Sequence, residues 1–112
     1  MYLCYMGTEE KIIINKILKL VNKKAPDSEL YLYGSRARQD AKKISDWDLL
    51  ILLNTKDVSF GFETSFMDEF YNLEIETGAV ISPLIYSKTD WLNKHSITPL
   101  FENIQKEGIR IK

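Results

Sequence analysis

Leu32-Tyr33-Gly34-Ser35-Arg36-Ala37-Arg38 and, further on, Ser45-Asp46-Trp47-Asp48-Leu49-Leu50-Ile51 decide how this 112-residue chain is read. The β-rich run Leu30–Tyr33 ends abruptly at Gly34-Ser35. The run Asp46–Leu53 opens with alternating carboxylates and becomes continuously apolar, the mark of a strand covered on both faces. Residues two apart in a strand share a face, so Asp46 and Asp48 project together with Cα atoms about 6.5 Å apart, and Trp47 points to the core on the other side. Two bare carboxylates so placed repel by about 2 kcal/mol at an effective dielectric near 20. A pair at the head of a buried strand calls for a positive partner. A divalent cation with oxygen ligands, Mg²⁺ in particular, meets that need and itself binds phosphate oxygens. Gly34 lets the backbone approach a ligand closely, and Ser35 adds a hydroxyl and an N–H that can cap a helix or bind phosphate. Arg36 and Arg38 lie in the same turn and are candidates to neutralise phosphates. For these halves to form one site, the first strand must end beside the start of the second, as in an antiparallel pair.

The flanking sequence supplies the rest of the architecture. Residues 8–24 read as an amphipathic helix, with Thr8 as N-cap, Ile13, Ile14, Ile17, Leu18 and Val21 at helical spacing, lysines on the other face and Pro26 as the stop. Residues 54–61 read as a loop. Phe62, Phe66, Phe70 and Leu73 mark a helix over about 62–74. Gly78 introduces a third strand, 79–86, whose Pro83 cannot donate to a ladder and so predicts an edge or a bulge. Residues 87–94 are short and mixed. Thr98-Pro99 opens a last helix through Lys106, stopped by Gly108. The sum is an α/β (α+β) domain: a small mixed sheet of three to four strands flanked by helices.

Composition narrows the function classes. Fifteen Lys+Arg against sixteen Asp+Glu give a net charge of −1, so a basic nucleic-acid-binding face is not the default reading. Hydrophobic residues at 45% and aromatic residues at 12% suffice for a core and exclude wholesale disorder. Cys4 is the only cysteine, which forbids an internal disulfide and fits a reducing compartment. No stretch approaches the roughly 20 apolar residues of a membrane span, and Met1–Thr8 shows no basic region followed by an apolar one. The expectation is a soluble, cytoplasmic chain of one domain over residues 1–112, and the edge strand leaves room for a homodimer.

Asp-Xaa-Asp and Gly-Ser are each common at strand ends and turns, and arginines are by default surface charge. Their combination is the specific signal. Gly34-Ser35, ten intervening residues and Asp46-Trp47-Asp48 resemble the signature of the minimal nucleotidyltransferases of the polymerase-beta-like superfamily. The wider stretch Leu32–Arg38 with Ser45–Ile51 is similar to that family's motif, and the element order agrees over nearly the whole chain. The resemblance implies a site that binds ATP or another nucleoside triphosphate with Mg²⁺ and transfers a nucleoside monophosphate to an acceptor. By position, Gly34 and Ser35 hold the triphosphate, and Asp46 and Asp48 ligate the metal. It also implies a HEPN-type protein partner, for which such a chain acts as antitoxin.

That family often places a third carboxylate on a later strand. Val80-Ile81-Ser82-Pro83-Leu84-Ile85 carries none. Glu74 and Glu76 lie just upstream, with Glu76 the nearer candidate for the metal set and a solvated helix end as the alternative. The missing acid keeps open a degenerate module of the same fold that binds nucleotide or a partner without transfer, and a plain interaction domain in which these motifs are coincidental. His95, the only histidine, has no supporting spacing for a general base and reads as a surface or helix-edge residue. Tyr31, Tyr33, Phe62, Phe66, Phe70 and Trp91 read as packing residues.

Overall fold

In the computed structural model, which describes residues 6–38 and 45–112, the chain runs α1 (Thr8–Lys24), β1 (Glu29–Tyr33), α2 (Ser35–Arg38), β2 (Trp47–Leu53), α3 (Phe60–Thr77), β3 (Ile81–Ser87), α4 (Lys88–Lys94), α5 (Pro99–Glu107) and β4 (Ile109–Arg110). Cys4 and the middle of the basic stretch, 39–44, lie outside the described residues. The four strands form one mixed sheet in the order β3-β2-β1-β4. β1 is antiparallel to both β2 and β4, and β2 is parallel to β3. No helix among the described residues is long and apolar enough to cross a membrane.

β2 sits at the centre and is apolar on both faces because helices cover both. On one face Leu49 and Ile51, with Leu30 and Leu32 of β1, pack against Ile14, Ile17 and Val21 of α1 and Phe66, Phe70 and Leu73 of α3. Phe66 and Phe70 stack at 5.3 Å and Phe62 meets Phe66 edge-on at 5.7 Å. On the other face Leu50 and Leu52 pack against Trp91 of α4 and Ile104 of α5, with Tyr31, Tyr33 and Tyr86 at the margin. Each such aliphatic or aromatic side chain removed from water contributes about 1.5–3 kcal/mol before entropy is counted. The aromatic residues named in the sequence do serve as packing.

Several boundaries move for identifiable reasons. The N-cap of α1 is Gly7 rather than Thr8. With the cap one residue earlier the third helical position is Glu10, whose Oε1 accepts from the Gly7 N–H at 3.1 Å, the acid that a capping box needs. α3 outruns the expected 62–74 at both ends. Ser59 caps it by accepting from Phe62 N at 3.1 Å, and Gly78 at φ 74° ends it in the left-handed conformation. The mixed segment after β3 is a helix, α4, capped by Ser87. Beyond Gly108 the chain adds β4, which pairs Ile109 and Arg110 with Leu32 and Tyr31. Pro83 does lie in an edge strand, as its missing N–H requires.

Candidate active site

The antiparallel register pairs Tyr33 with Asp48, so the turn after β1 lies directly against the first residues of β2. Gly34 takes φ 73° there, and a Cβ on it would collide with Asp48 Oδ2. Both the backbone conformation and the space therefore demand glycine. The parallel register pairs Asp48 with Ser82 of β3, and the Ser82 hydroxyl makes a long contact, 3.4 Å, in which it donates to Asp46 Oδ2. Three strand ends thus converge on one spot: the end of β1 and the starts of β2 and β3.

Electrostatics at this spot are unbalanced. Burial first, and the Asp46 charge second, hold the Asp48 carboxyl above its ordinary range, while Arg38 pulls the other way. Tyr33, on the same face, is pushed up to about 12 by burial, then by Asp48 and Tyr86. Its phenol stays protonated at neutral pH. Arg38 is about half exposed and is held by the Glu107 carboxylate of α5, its Nη1 lying 3.2 Å from both oxygens.

Arg36 departs from the expectation that it faces phosphate with Arg38. Its side chain is only 6% exposed. Nη1 donates to Glu10 Oε2 at 3.1 Å and Nη2 to the Ser45 carbonyl at 2.8 Å, while the guanidinium lies 4.4 Å over the Trp47 ring. The reason is helical geometry: positions two apart on α2 differ by about 200° around the axis, so only one arginine can face the carboxylates. Arg36 instead ties the start of α1 to the peptide before Asp46 and to the residue between the two aspartates. A planar cation on an indole face with Nη1 and Nη2 both engaged suits that anchoring role.

Glu76 is likewise not brought to the aspartates. Its carboxylate pairs with Lys16 on the outer side of the α1–α3 contact, and Glu74 Oε2 accepts from Ile81 N at 2.8 Å. Among the described residues no group of three or more His, Cys, Asp or Glu side chains converges. The position opposite Asp48 on β3 is filled by Ser82. His95 closes α4, tilted against Tyr86 at 4.3 Å and stacked on Trp91 at 5.9 Å, a packing role. Sequence reading missed Tyr33 as a site neighbour and the contact between Ser82 and Asp46; the alternation of β3, with Ser82 on the Leu84–Tyr86 face, was the available signal.

The remaining donor set is all oxygen: two carboxylates, one raised by burial and then by the other's charge, and a serine hydroxyl. That is the chemistry a hard divalent cation takes, so these residues fit Mg²⁺.

A mixed four-stranded sheet with Gly34-Ser35 closing β1 and an aspartate pair opening β2 defines a nucleotidyltransferase-type domain. The model of the family described as polymerase beta, nucleotidyltransferase matches residues 15–112, and the chain belongs to that family. Among solved structures, one described as a toxin–antitoxin with AMP-PNP superposes with a TM-score of 0.63 at 17% identity, covering 88% of this chain and 71% of that one. Two mutant forms of the toxin–antitoxin MntA-HpeT superpose with TM-scores of 0.61 and 0.58 at 16% and 17% identity, each covering 88% of this chain and 70% of the other. At such identities the likeness is one of fold. No curated protein matches the chain.

Proposed function

We propose that this chain transfers a nucleoside monophosphate, with ATP and hence AMP as first choice, to a hydroxyl acceptor on a partner protein, as the antitoxin of a pair. The observation that carries the proposal is the close approach of Gly34 to Asp48, which sets a side-chain-free turn against an under-neutralised aspartate pair. Asp46 and Asp48 are the residues that would hold Mg²⁺. When bound, the ion supplies charge neutralisation for the triphosphate and the departing pyrophosphate. The chain's own contribution is positional. Gly34 presents backbone without a Cβ and Ser35 adds an N–H and a hydroxyl, so the triphosphate lies close to the aspartates. Arg38 at the rim supplies a cation that exchanges Glu107 for phosphate. In the reaction the acceptor oxygen bonds to the α-phosphorus and gives up its proton to solvent, the α-phosphorus bond to the bridging oxygen breaks, and pyrophosphate leaves with that electron pair. The AMP-PNP described with one structural neighbour and the toxin–antitoxin pairing of all three support this choice of nucleotide and partner.

Ser82 favours a second reading, in which the same pocket binds Mg²⁺-nucleotide without transferring it, because a hydroxyl replaces the acid that would complete the site.

Thermal unfolding with ATP and Mg²⁺, on wild type and on Asp46→Ala/Asp48→Ala, tests the common core. Ligand at ten times its dissociation constant stabilises by about 1.4 kcal/mol, a rise of several degrees in Tm for a domain of this size. The rise is expected to need Mg²⁺ and to vanish in the double variant. Absence of a rise with any triphosphate overturns both readings. A rise without transfer of label from α-labelled ATP to a partner selects the second.

A further inference from the structure

α3 is apolar on two sides. Its inner face fills the core through Phe66, Phe70 and Leu73, yet Phe60, Met67, Tyr71 and Ile75 are 83%, 41%, 62% and 68% exposed. Positions i, i+7, i+11 and i+15 fall within roughly 80° of one another around a helix and span about 22 Å along it. Together they form a ridge, interrupted by the exposed Thr64 between Phe60 and Met67 and unbroken from Met67 through Tyr71 to Ile75, and apolar ridges with polar margins mark contact surfaces.

The margins say what kind of partner fits. α3 carries Glu63, Asp68, Glu69, Glu74 and Glu76 and no Lys, Arg or His. Lysines of α1 take up Glu69 and Glu76, on the side turned towards α1. Glu63 and Glu74 flank the ridge on one side and Asp68 on the other, by their positions around the helix. A second copy laid on this ridge would set carboxylate against carboxylate. An anionic lipid surface would meet the same repulsion, and the interfacial helices that bind such surfaces are rich in Lys and Arg. An apolar stripe bordered by cations is the complement.

We infer that the outer face of α3 is a docking surface for an amphipathic helix of another protein, apolar along one stripe and basic at its flanks, about four turns long. The ridge belongs to the helix layer that covers the Leu49–Ile51 face of the sheet, whereas Asp48 and Ser82 lie on the Leu50–Leu84 face. After α3 ends at Gly78, the half-exposed Val80 offers its carbonyl to Trp47 N at 2.8 Å, one peptide from Asp46. The docking surface does not depend on transfer chemistry, because a chain whose site only binds nucleotide presents the same ridge.

The test uses the full chain and a fluorescently labelled synthetic peptide of about 18 residues, leucine along one helical stripe and lysine elsewhere, with a glutamate-for-lysine version as its counterpart. Anisotropy titration is expected to show saturable binding of the lysine peptide, weakened at least tenfold by Tyr71→Ser/Ile75→Ser and severalfold by Glu63→Gln/Asp68→Asn. These exposed positions can be changed without touching the core, and urea midpoints of the variants verify that they fold. Equal binding to Tyr71→Ser/Ile75→Ser overturns the inference in favour of charge attraction alone, and equal binding of the glutamate peptide removes the charge selection. Sedimentation showing a wild-type dimer that Tyr71→Ser dissolves would assign the ridge to a second copy instead. Adsorption to anionic phospholipid vesicles that the Ser variant loses would assign it to a membrane.

Discussion

Glu29 and Asp48 lie at opposite ends of the β1–β2 ladder on the same face of the sheet, and the protein treats them in opposite ways. Burial alone would push Glu29 up. Lys88, the Tyr31 hydroxyl and Arg110 outweigh it and leave the carboxyl below its ordinary value of 4.5. The pairs are close: Lys88 Nζ at 2.6 Å, Tyr31 Oη at 2.6 Å and Arg110 Nη1 at 3.7 Å. Asp48 has burial and a second carboxylate against it and is raised. Among the described residues, one end of the sheet has its carboxylate matched by cations, while at the other burial and Asp46 outweigh Arg38. A strand end that carries such an imbalance is one that can take up a cation, and that difference separates scaffold from candidate site.

The largest expected break in this contrast comes from behind it. Arg36→Ala leaves Glu10 and the Ser45 carbonyl without their donor and uncovers Trp47, and costs about 2–4 kcal/mol by urea denaturation. The same truncation of Arg38, a rim ion pair, costs under about 1 kcal/mol. Gly34→Ala forces a Cβ against Asp48 at positive φ and is expected to cost about 1–3 kcal/mol and to remove the Mg²⁺-ATP stabilisation. Next come two charge-neutral replacements with opposite signs. Glu29→Gln weakens a matched cluster and destabilises by about 1 kcal/mol. Asp46→Asn relieves repulsion and stabilises the metal-free protein by up to about 1 kcal/mol while abolishing the Mg²⁺ response. If both destabilise, the contrast fails.

Acid titration gives the smallest and most direct reading. Glu29 binds its proton less readily when folded, so its contribution is fully present above about 4.5 and is lost as pH falls through its folded value. Asp48 binds its proton more readily when folded, so its penalty at neutral pH is relieved as pH falls through its folded value towards 3.8. In metal-free urea titrations from pH 7 to 3, Glu29→Gln is expected to flatten the acid loss and Asp48→Asn to steepen it.

Much of this was legible in the residues. Pro99 and Thr98 placed α5, the continuous apolar run placed β2 at the centre, and the two-residue spacing put Asp46 and Asp48 on one face beside Gly34. What escaped has physical causes. β4 is two residues whose strand character comes from pairing with β1, a tertiary fact. α3 was read short because its outward Phe60, Met67, Tyr71 and Ile75 blur the periodicity that a one-faced helix shows. Arg36 and Arg38 are identical as letters, and only the direction in which α2 turns tells the buried anchor from the rim cation. Glu76 is close in sequence to β3, but its place around α3 turns it towards Lys16.

The edges of the sheet carry a last consequence. One edge, β4, is two residues long, and the other, β3, has Pro83 at its third position with no N–H to offer. A foreign strand laid along either finds too short a template or an interrupted one, which is how natural sheets resist growing into fibrils. The chain is therefore expected to refold at high concentration without recruiting its neighbours, whatever occupies the ridge on α3.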